Sequence, residues 1–483
     1  MHKSFAHART SRMLPDLPAR LEPDAIGIAQ DTVIGMASSA PAGTMAAVLA
    51  SLALTSAYSG GLIILLTAVP MLIIANAYRR LNMWNANCGA SFEWVGRAIN
   101  PYLGFLTGWT MIAGYLIGTV AEVLVLGPSV LAVFGYGSGS PSLSAGIDTV
   151  VILVMCLIAV AGIKTTAWAQ VLMAIVEYSI LGGIAALGLI NVVFGQPGTY
   201  GMSRGWWNLY GIGGHGSLIG SLLITLYLYS LYDGGIYVNE EVRHRRVNPG
   251  RATVWAVALL AVLYSLAQIG LQGVVGPARL QAHASTSLIY VAYVLGGTGL
   301  AKAMALAIAL SVIATTGTGI VLTTRIVYGM ASRRVLPEPL SRVSTRYRTP
   351  AVTSILIVAL LITLTWVYLM AASFTSVLTD VVAVAGLLAT MFYIMTALAT
   401  TAYYRRKVIS SIKDFFTLGI LPVAAIVFLS YVTWKYLAQA PAGQAWTIAG
   451  VVASGIVMML FARFRWRPGF FEVRPESYPG GPE

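Results

Sequence analysis

The sequence predicts an all-α polytopic membrane protein. It has twelve transmembrane helices, arranged as a five-plus-five inverted repeat in which helices 1 and 6 are broken. Three observations predict this. Of 483 residues, 57% are hydrophobic and only 10% charged, where a soluble domain carries about 25% charged residues. The apolar runs are long rather than short and alternating, so they read as helices and not as the strands of a closed barrel. The third observation is a pair of interruptions, five spans apart, in runs otherwise long enough to cross a bilayer.

The twelve spans fall at about 25–55, 57–78, 101–134, 147–163, 166–195, 216–239, 252–275, 299–328, 350–371, 376–403, 416–437 and 444–463. Ahead of them, 1–24 is a mixed polar stretch with Pro15, Pro18 and Pro23 and no apolar core before a cleavage site. It reads as a cytoplasmic tail rather than a signal peptide. With that tail inside, all but four of the 30 Lys and Arg residues fall on the inner side. The exceptions are Arg204, Arg279, Lys302 and Lys435. Such a bias orients a membrane protein with both termini cytoplasmic. It also accounts for the net charge of +13, which faces anionic lipid. No basic stretch lies on a soluble domain, so a nucleic-acid partner is not expected.

The first span contains Ile34-Gly35-Met36-Ala37-Ser38-Ser39-Ala40-Pro41-Ala42-Gly43-Thr44. Pro41 lacks an N–H and clashes with the preceding turn, and Ser38 and Ser39 can bond the backbone locally. An unwound segment at membrane depth is tolerated only where it is buried in protein or lines a watery cavity. Its freed N–H groups suit an anion such as a carboxylate. The bland alternative is a kinked helix whose small residues let a neighbour pack closely. Between spans two and three, Asn85–Asn100 is amphipathic, with Glu93 and Trp94, and is expected at the inner interface. On span three, Gly104-x-x-x-Gly108 and Gly114-x-x-x-Gly118 read as packing faces. Glu122, near the outer end, is expected to meet water. Span five carries Glu177 in mid-span with no Lys or Arg nearby in sequence. A carboxylate there must pair, bind a cation or take a proton.

Gly195–Gly216 is long, and Trp206 and Trp207 read as interfacial anchors. Span six reads Tyr227-Leu228-Tyr229-Ser230-Leu231-Tyr232-Asp233-Gly234-Gly235-Ile236. Two adjacent glycines and an aspartate make poor helix and poor lipid-facing material. An offset of five spans turns the second unit upside down. Paired interrupted helices of this kind point to a mid-membrane substrate site in a secondary transporter. Gln281–Leu295 is expected to form an outer helix before span eight, which carries Thr315, Thr316 and Thr318. Asp31 on span one reads as an interfacial or helix-end charge, and Asp380 on span ten as an outer-end group meeting water. The resulting division is a tail 1–24, a first repeat 25–195, a second repeat 216–403, two additional helices in 404–464 and a cytoplasmic tail 465–483.

Enzyme chemistry finds little support. There is no Ser/His/Asp set, phosphate loop or metal-ligand cluster, so neither a cofactor nor a metal is expected. His2, His7, His215, His244 and His283 all lie near or beyond span ends, and Cys88 and Cys156 form no CxxC or Cys/His cluster.

Several motifs resemble the amino acid–polyamine–organocation (APC) superfamily. Asn87-Cys88-Gly89-Ala90-Ser91-Phe92-Glu93-Trp94-Val95-Gly96-Arg97, followed by Pro101-Tyr102-Leu103-Gly104-Phe105-Leu106-Thr107-Gly108-Trp109, resembles that family's loop and third-helix start. Tyr232-Asp233, Glu240-Glu241 and Asn248-Pro249 resemble its sixth helix and exit. Thr324 to Ala331, with Leu336-Pro337 and Arg348-Thr349-Pro350, resembles the end of its eighth. The resemblance implies the five-plus-five fold of bacterial amino acid transporters in the plasma (inner) membrane. It implies that Ser38, Ser39, Ala40, Pro41 and Ala42 hold a substrate carboxylate, and that Tyr229, Ser230, Leu231, Tyr232 and Asp233 hold its amino group. This chain departs from the family at Ser-Ser-Ala-Pro-Ala, which replaces a glycine-rich GxG, and at Leu231, where a glycine is usual.

The same register puts Glu177 where several sodium-independent members carry a lysine; Glu177 reverses that sign, and as a buried acid it is expected to be a proton-binding, coupling carboxylate. The alternatives are a structural acid hydrogen-bonded between helices and a cation site completed by Thr315 and Thr316. Asp233 is expected to meet a substrate ammonium or relay a proton, and otherwise to cap the half-helix that restarts after Gly235. Tyr227 matches an aromatic gate. The leading expectation is a proton-coupled amino acid permease working by alternating access on a small-molecule substrate, in contact with the lipid bilayer. The rivals are an amino acid/amine (polyamine) exchanger without proton coupling and a transporter-like sensor or channel.

Overall fold

A computed structural model describes residues 21–136, 140–209, 217–371 and 374–479. The tail up to Arg20, with His2 and His7, lies outside the described residues, as does the 210–216 stretch with His215. Among the described residues, twelve helical stretches are long and apolar enough to cross a membrane.

The first span is two helices, α1 (Ile28–Ser38) and α2 (Pro41–Ser56). The second is α3 (Gly60–Trp84), followed by a short α4 (Ser91–Ala98). Spans three to five are α5 (Pro101–Val133), α6 (Pro141–Ala161) and α7 (Ile163–Val193). The sixth is α8 (Leu218–Leu228) followed by a 3-10 helix, Tyr232–Glu241. Then come α9 (Asn248–Ala282), α10 (Ser287–Ser332), α11 (Ala351–Ala371) and α12 (Phe374–Tyr403). A one-turn α13 (Ile412–Asp414) leads through a π-helical stretch into α14 (Leu421–Leu437), and α15 (Ala442–Phe461) ends the set. Spans one, six and eight are the most buried, while span twelve shows most of its surface to the outside. The two broken spans thus lie in the middle of the bundle.

Both breaks have a local cause. Ala40 precedes Pro41, whose ring disfavours an α conformation for it, and it sits in the left-handed region at φ 44°, ψ 65°. Pro41 then starts α2 at a position where a missing N–H does no harm. In span six α8 ends at Leu228, and Leu231 is left-handed at φ 65° before the 3-10 helix begins. Neither residue is a glycine, so each carries about 1–2 kcal/mol of backbone strain. The surrounding packing must hold it.

Several expectations need correction. The stretch after span two does not lie on the membrane interface. Glu93 and Trp94 of α4 are both fully buried. Trp94 Nε1 donates to the Asn85 carbonyl at 2.7 Å, and Glu93 pairs with Arg97 at 2.9 Å and with Arg333. The amphipathic pattern records two protein-facing sides. Trp206 is no interfacial anchor either, since it is buried and stacks on Tyr58 with ring centroids 4.9 Å apart; Trp207 stays half exposed. The helix expected over 281–295 is present in part, starting later than predicted and set off from the rest of span eight by a kink. Residues 281 and 282 finish α9, and 287–295 are the first turns of α10. Gly296 and Gly297 break that helix, with Gly297 at φ 68°. Glu122 does not meet water and Asp31 is not interfacial, as described below.

The arginine-rich end of the bundle is closed by polar ties. Fully buried Arg325 of α10 donates to both oxygens of Glu241 at 3.1 Å. Asn239 Nδ2 donates to Asn82 Oδ1 at 2.9 Å and to the Asn87 carbonyl at 3.1 Å. The C-terminal segment straps across this end. Phe470 stacks on Phe92 at 4.4 Å and Phe471 on Tyr102 at 5.1 Å, and the Glu476 N–H donates to the Arg97 carbonyl.

Candidate functional site

The two breaks face one another. Ser39 Oγ donates to the Ser230 carbonyl at 2.8 Å, so the unwound residues of spans one and six touch directly. Tyr264 of α9 donates to the Ser39 carbonyl at 3.2 Å. Ser38 Oγ turns back to its own helix at Ile34. Of the expected residues Ser38, Ser39, Ala40, Pro41, Ala42, Tyr229, Ser230, Leu231, Tyr232 and Asp233, all are buried. Tyr229 and Tyr232, however, send their hydroxyls to α3, at the Ile64 and Met71 carbonyls.

The start of α2 is held by side chains from three other helices. The Ala42 N–H donates to Glu177 Oε1 of α7 at 2.9 Å. The Gly43 N–H donates to Ser311 Oγ of α10 at 3.2 Å. Glu122 of α5 reaches the next residue: its Oε1 lies 3.0 Å from the Thr44 hydroxyl and accepts from Tyr227 at 2.7 Å. Glu122 is 4% exposed and Glu177 fully buried. The expectation that Glu122 meets water fails because α5 is 33 residues long. Its mid-membrane portion therefore reaches further along the sequence than a span of about 20 residues suggests. One oxygen of each carboxylate, Glu122 Oε2 and Glu177 Oε2, has no hydrogen-bond partner.

Tyr227 also lines a cavity of about 240 Å³, together with residues of α2, α8 and α12 such as Ala47, Ser51, Leu223 and Gly386. Its lining residues Gly220, Ala284, Ser285 and Tyr436 lie near the end of the bundle away from the arginine-rich loops. The tyrosine thus stands between that cavity and Glu122, where an aromatic gate is expected.

Asp233 is fully buried and held by three tyrosines. Its Oδ1 accepts from Tyr393 at 2.9 Å and Tyr115 at 3.2 Å, and its Oδ2 from Tyr237. Tyr393 in turn accepts the Leu231 N–H at 2.9 Å. The carboxylate therefore clamps the strained residue in place through Tyr393. It is bonded to side chains, not serving as a plain backbone cap.

Thr315 Oγ1 donates to the Ala37 carbonyl at 2.6 Å, tying α10 to the end of α1. Thr316 bonds the Val312 carbonyl of its own helix. The two threonines therefore do not converge. Asp31 is not interfacial: it is fully buried beside Gly235, and neither of its oxygens has a hydrogen-bond partner. Asp380 is exposed, as expected, and accepts from Gln444 at 2.8 Å.

The sequence reading passed over Ser311, Tyr115, Tyr237, Tyr264 and Tyr393. Serine and tyrosine in apolar helices carry no mark of their partners. Glu122 did carry a mark, a carboxylate in an apolar helix, and only its depth was misjudged.

Residues 28–461 match a family model described as amino acid permease. Uncharacterized transporters of Mycobacterium tuberculosis (strain ATCC 25618 / H37Rv) and of Mycobacterium bovis are each 24% identical to the chain over 340 residues. That alignment covers 69% of this chain and 72% of theirs. Among solved structures, a manganese transporter of Eremococcus coleocola superposes with a TM-score of 0.54 at 11% identity. It covers 94% of this chain and 99% of its own. At that identity the likeness is one of fold.

Proposed function

Because the chain belongs to the amino acid permease family, we propose that it is a proton-coupled secondary transporter that carries a small amine-bearing solute by alternating access. The substrate would sit between the broken segments Ser38–Ala42 and Tyr229–Asp233, beneath Tyr227. Asp233 would hold the second break in register for it. The division into inverted repeats 25–195 and 216–403, followed by two further helices, belongs to this proposal. So does a plasma-membrane location with both termini cytoplasmic.

One observation carries the coupling. Glu177, buried on α7, accepts the N–H of Ala42 at the point where the first span breaks. A hydrogen bond to a charged acceptor contributes roughly 1.5–3 kcal/mol, against about 1 kcal/mol for a neutral one. A proton on Glu177 therefore loosens the tie between α7 and the hinge of span one. A difference of about 1.4 kcal/mol shifts a conformational equilibrium tenfold. The same contact makes α7 sense the ion and the hinge move with it.

The test is uptake of labelled amino acids and amines into proteoliposomes, with and without an inward proton gradient, for wild type and Glu177→Gln. The expected outcome is gradient-driven uptake by wild type. The variant should lose the driven component while retaining exchange against internal substrate. Uptake that ignores the gradient and requires internal substrate would replace the proposal with an obligate exchanger.

A further inference from the structure

We propose that the site selects amines without a carboxylate, such as alkylamines, diamines and guanidino-amines, over the amino acids they correspond to. The inference rests on the reading of the broken segments as the transport site.

The start of a half-helix is where an anionic ligand group binds, because its first N–H groups have no helical partner. Here those groups are used within the protein. Ser39 and Ala40 N–H turn back to the Met36 carbonyl at 3.0 Å and the Ala37 carbonyl at 3.2 Å. Pro41 has no N–H. Ala42 donates to Glu177, Gly43 to Ser311, and Thr44 to the Ala40 carbonyl at 2.7 Å. The chain places its own carboxylate, Glu177, where a substrate carboxylate would otherwise lie.

The carboxylates at this turn keep free acceptor oxygens. Glu122 Oε2 and Glu177 Oε2 are buried and unpartnered. Gly43 clears the space for the first of them, since a Cβ there would stand 2.7 Å from Glu122 Oε2. Among the described residues no cation of the chain is buried beside the pair. The one buried Lys or Arg among them is Arg325, and it is matched to Glu241. Buried carboxylates must be neutralised by a partner or a proton. A proton on Glu177 and a ligand ammonium on Glu122 balance the site one for one. An ammonium brings three donors and no acceptor, which fits the free oxygens. A ligand carboxylate would add a negative charge at a turn whose backbone N–H groups are already taken. The 240 Å³ cavity beyond Tyr227 is walled largely by alanine, valine and leucine side chains, which suits an alkyl chain and not a second anion.

The experiment compares matched pairs on the purified full chain: lysine with 1,5-diaminopentane, arginine with agmatine, and leucine with 3-methylbutylamine. Binding is read by radioligand displacement, and uptake is measured in proteoliposomes. In wild type each amine should bind at least tenfold tighter than its amino acid. Glu122→Gln should weaken the amines at least tenfold. Glu177→Ala and Ser311→Ala each free an N–H, and each should narrow the amine preference. Equal or tighter binding of the amino acids by wild type overturns the inference and leaves the transporter reading standing. So does amine binding that is unchanged in Glu122→Gln. If no member of any pair binds or is taken up, both readings fall. The wild-type ranking needs no variant, so it decides even if a substitution prevents folding.

Discussion

Tyr227 joins the cavity to the buried acid, and its hydroxyl lies 2.7 Å from Glu122 Oε1. Replacing it with phenylalanine keeps the ring that closes the cavity and removes the donor. Glu122 Oε1 is then left with the Thr44 hydroxyl, which also lies within bonding distance of the Ser39 carbonyl. Loss of a hydrogen bond to a charged group costs roughly 1.5–3 kcal/mol, so Tyr227→Phe should raise KM for uptake by about tenfold or more. With the gate ring intact, kcat should stay within about twofold. Initial-rate uptake over a substrate series reads both. An unchanged KM would remove Glu122 and Tyr227 from the binding site. At this scale the sequence was partly legible. Glu177 stood out because an acid without a basic neighbour in an apolar run demands an explanation. Its actual partner, the Ala42 N–H, is 135 residues away, and no local pattern records that distance. The tyrosine cage around Asp233 was invisible for the same reason.

The broken elements show what local chemistry encodes and what it leaves to packing. Pro41 announces the first break directly. In span six the Gly234-Gly235 pair suggests where the chain unwinds, yet the left-handed residue is Leu231. Gly235 instead serves close approach, since a Cβ there would stand 2.6 Å from Asp31 Oδ1. A leucine holds a glycine-like conformation because Tyr393 binds its N–H, and that contact is written nowhere near it in sequence. The strain at Ala40 is open to test. Ala37 and Ala40 are both buried alanines, one in helix and one at φ 44°. Ala37→Gly loses a buried methyl and gains helix-breaking freedom. Ala40→Gly loses the same methyl but releases about 1–2 kcal/mol of left-handed strain. Unfolding of both variants in detergent should show Ala40→Gly less destabilised by about that difference. Equal losses would mean that the first break is unstrained.

For the whole molecule, composition and charge were enough to read twelve helices, because both are sums over the chain and survive errors of a few residues at each boundary. What failed were assignments to the membrane surface. Trp94, Glu93 and Trp206 belong to residue types common at an interface, and packing drew them inside. Orientation depends on the sums too, and it predicts accessibility. Cys88 and Cys156 are both buried, so an impermeant maleimide should meet a quiet background in intact cells. Gln439 lies exposed in the turn between α14 and α15, and Ser410 lies exposed in the basic stretch after α12. Arg405, Arg406, Lys407 and Lys413 surround Ser410, and segments rich in Lys and Arg stay cytoplasmic. Gln439→Cys should therefore label from outside the cell, and Ser410→Cys only after the membrane is opened. The opposite pattern would invert the molecule. The 240 Å³ cavity would then lie near the cytoplasmic end, and the proton on Glu177 would enter from the other side of the membrane.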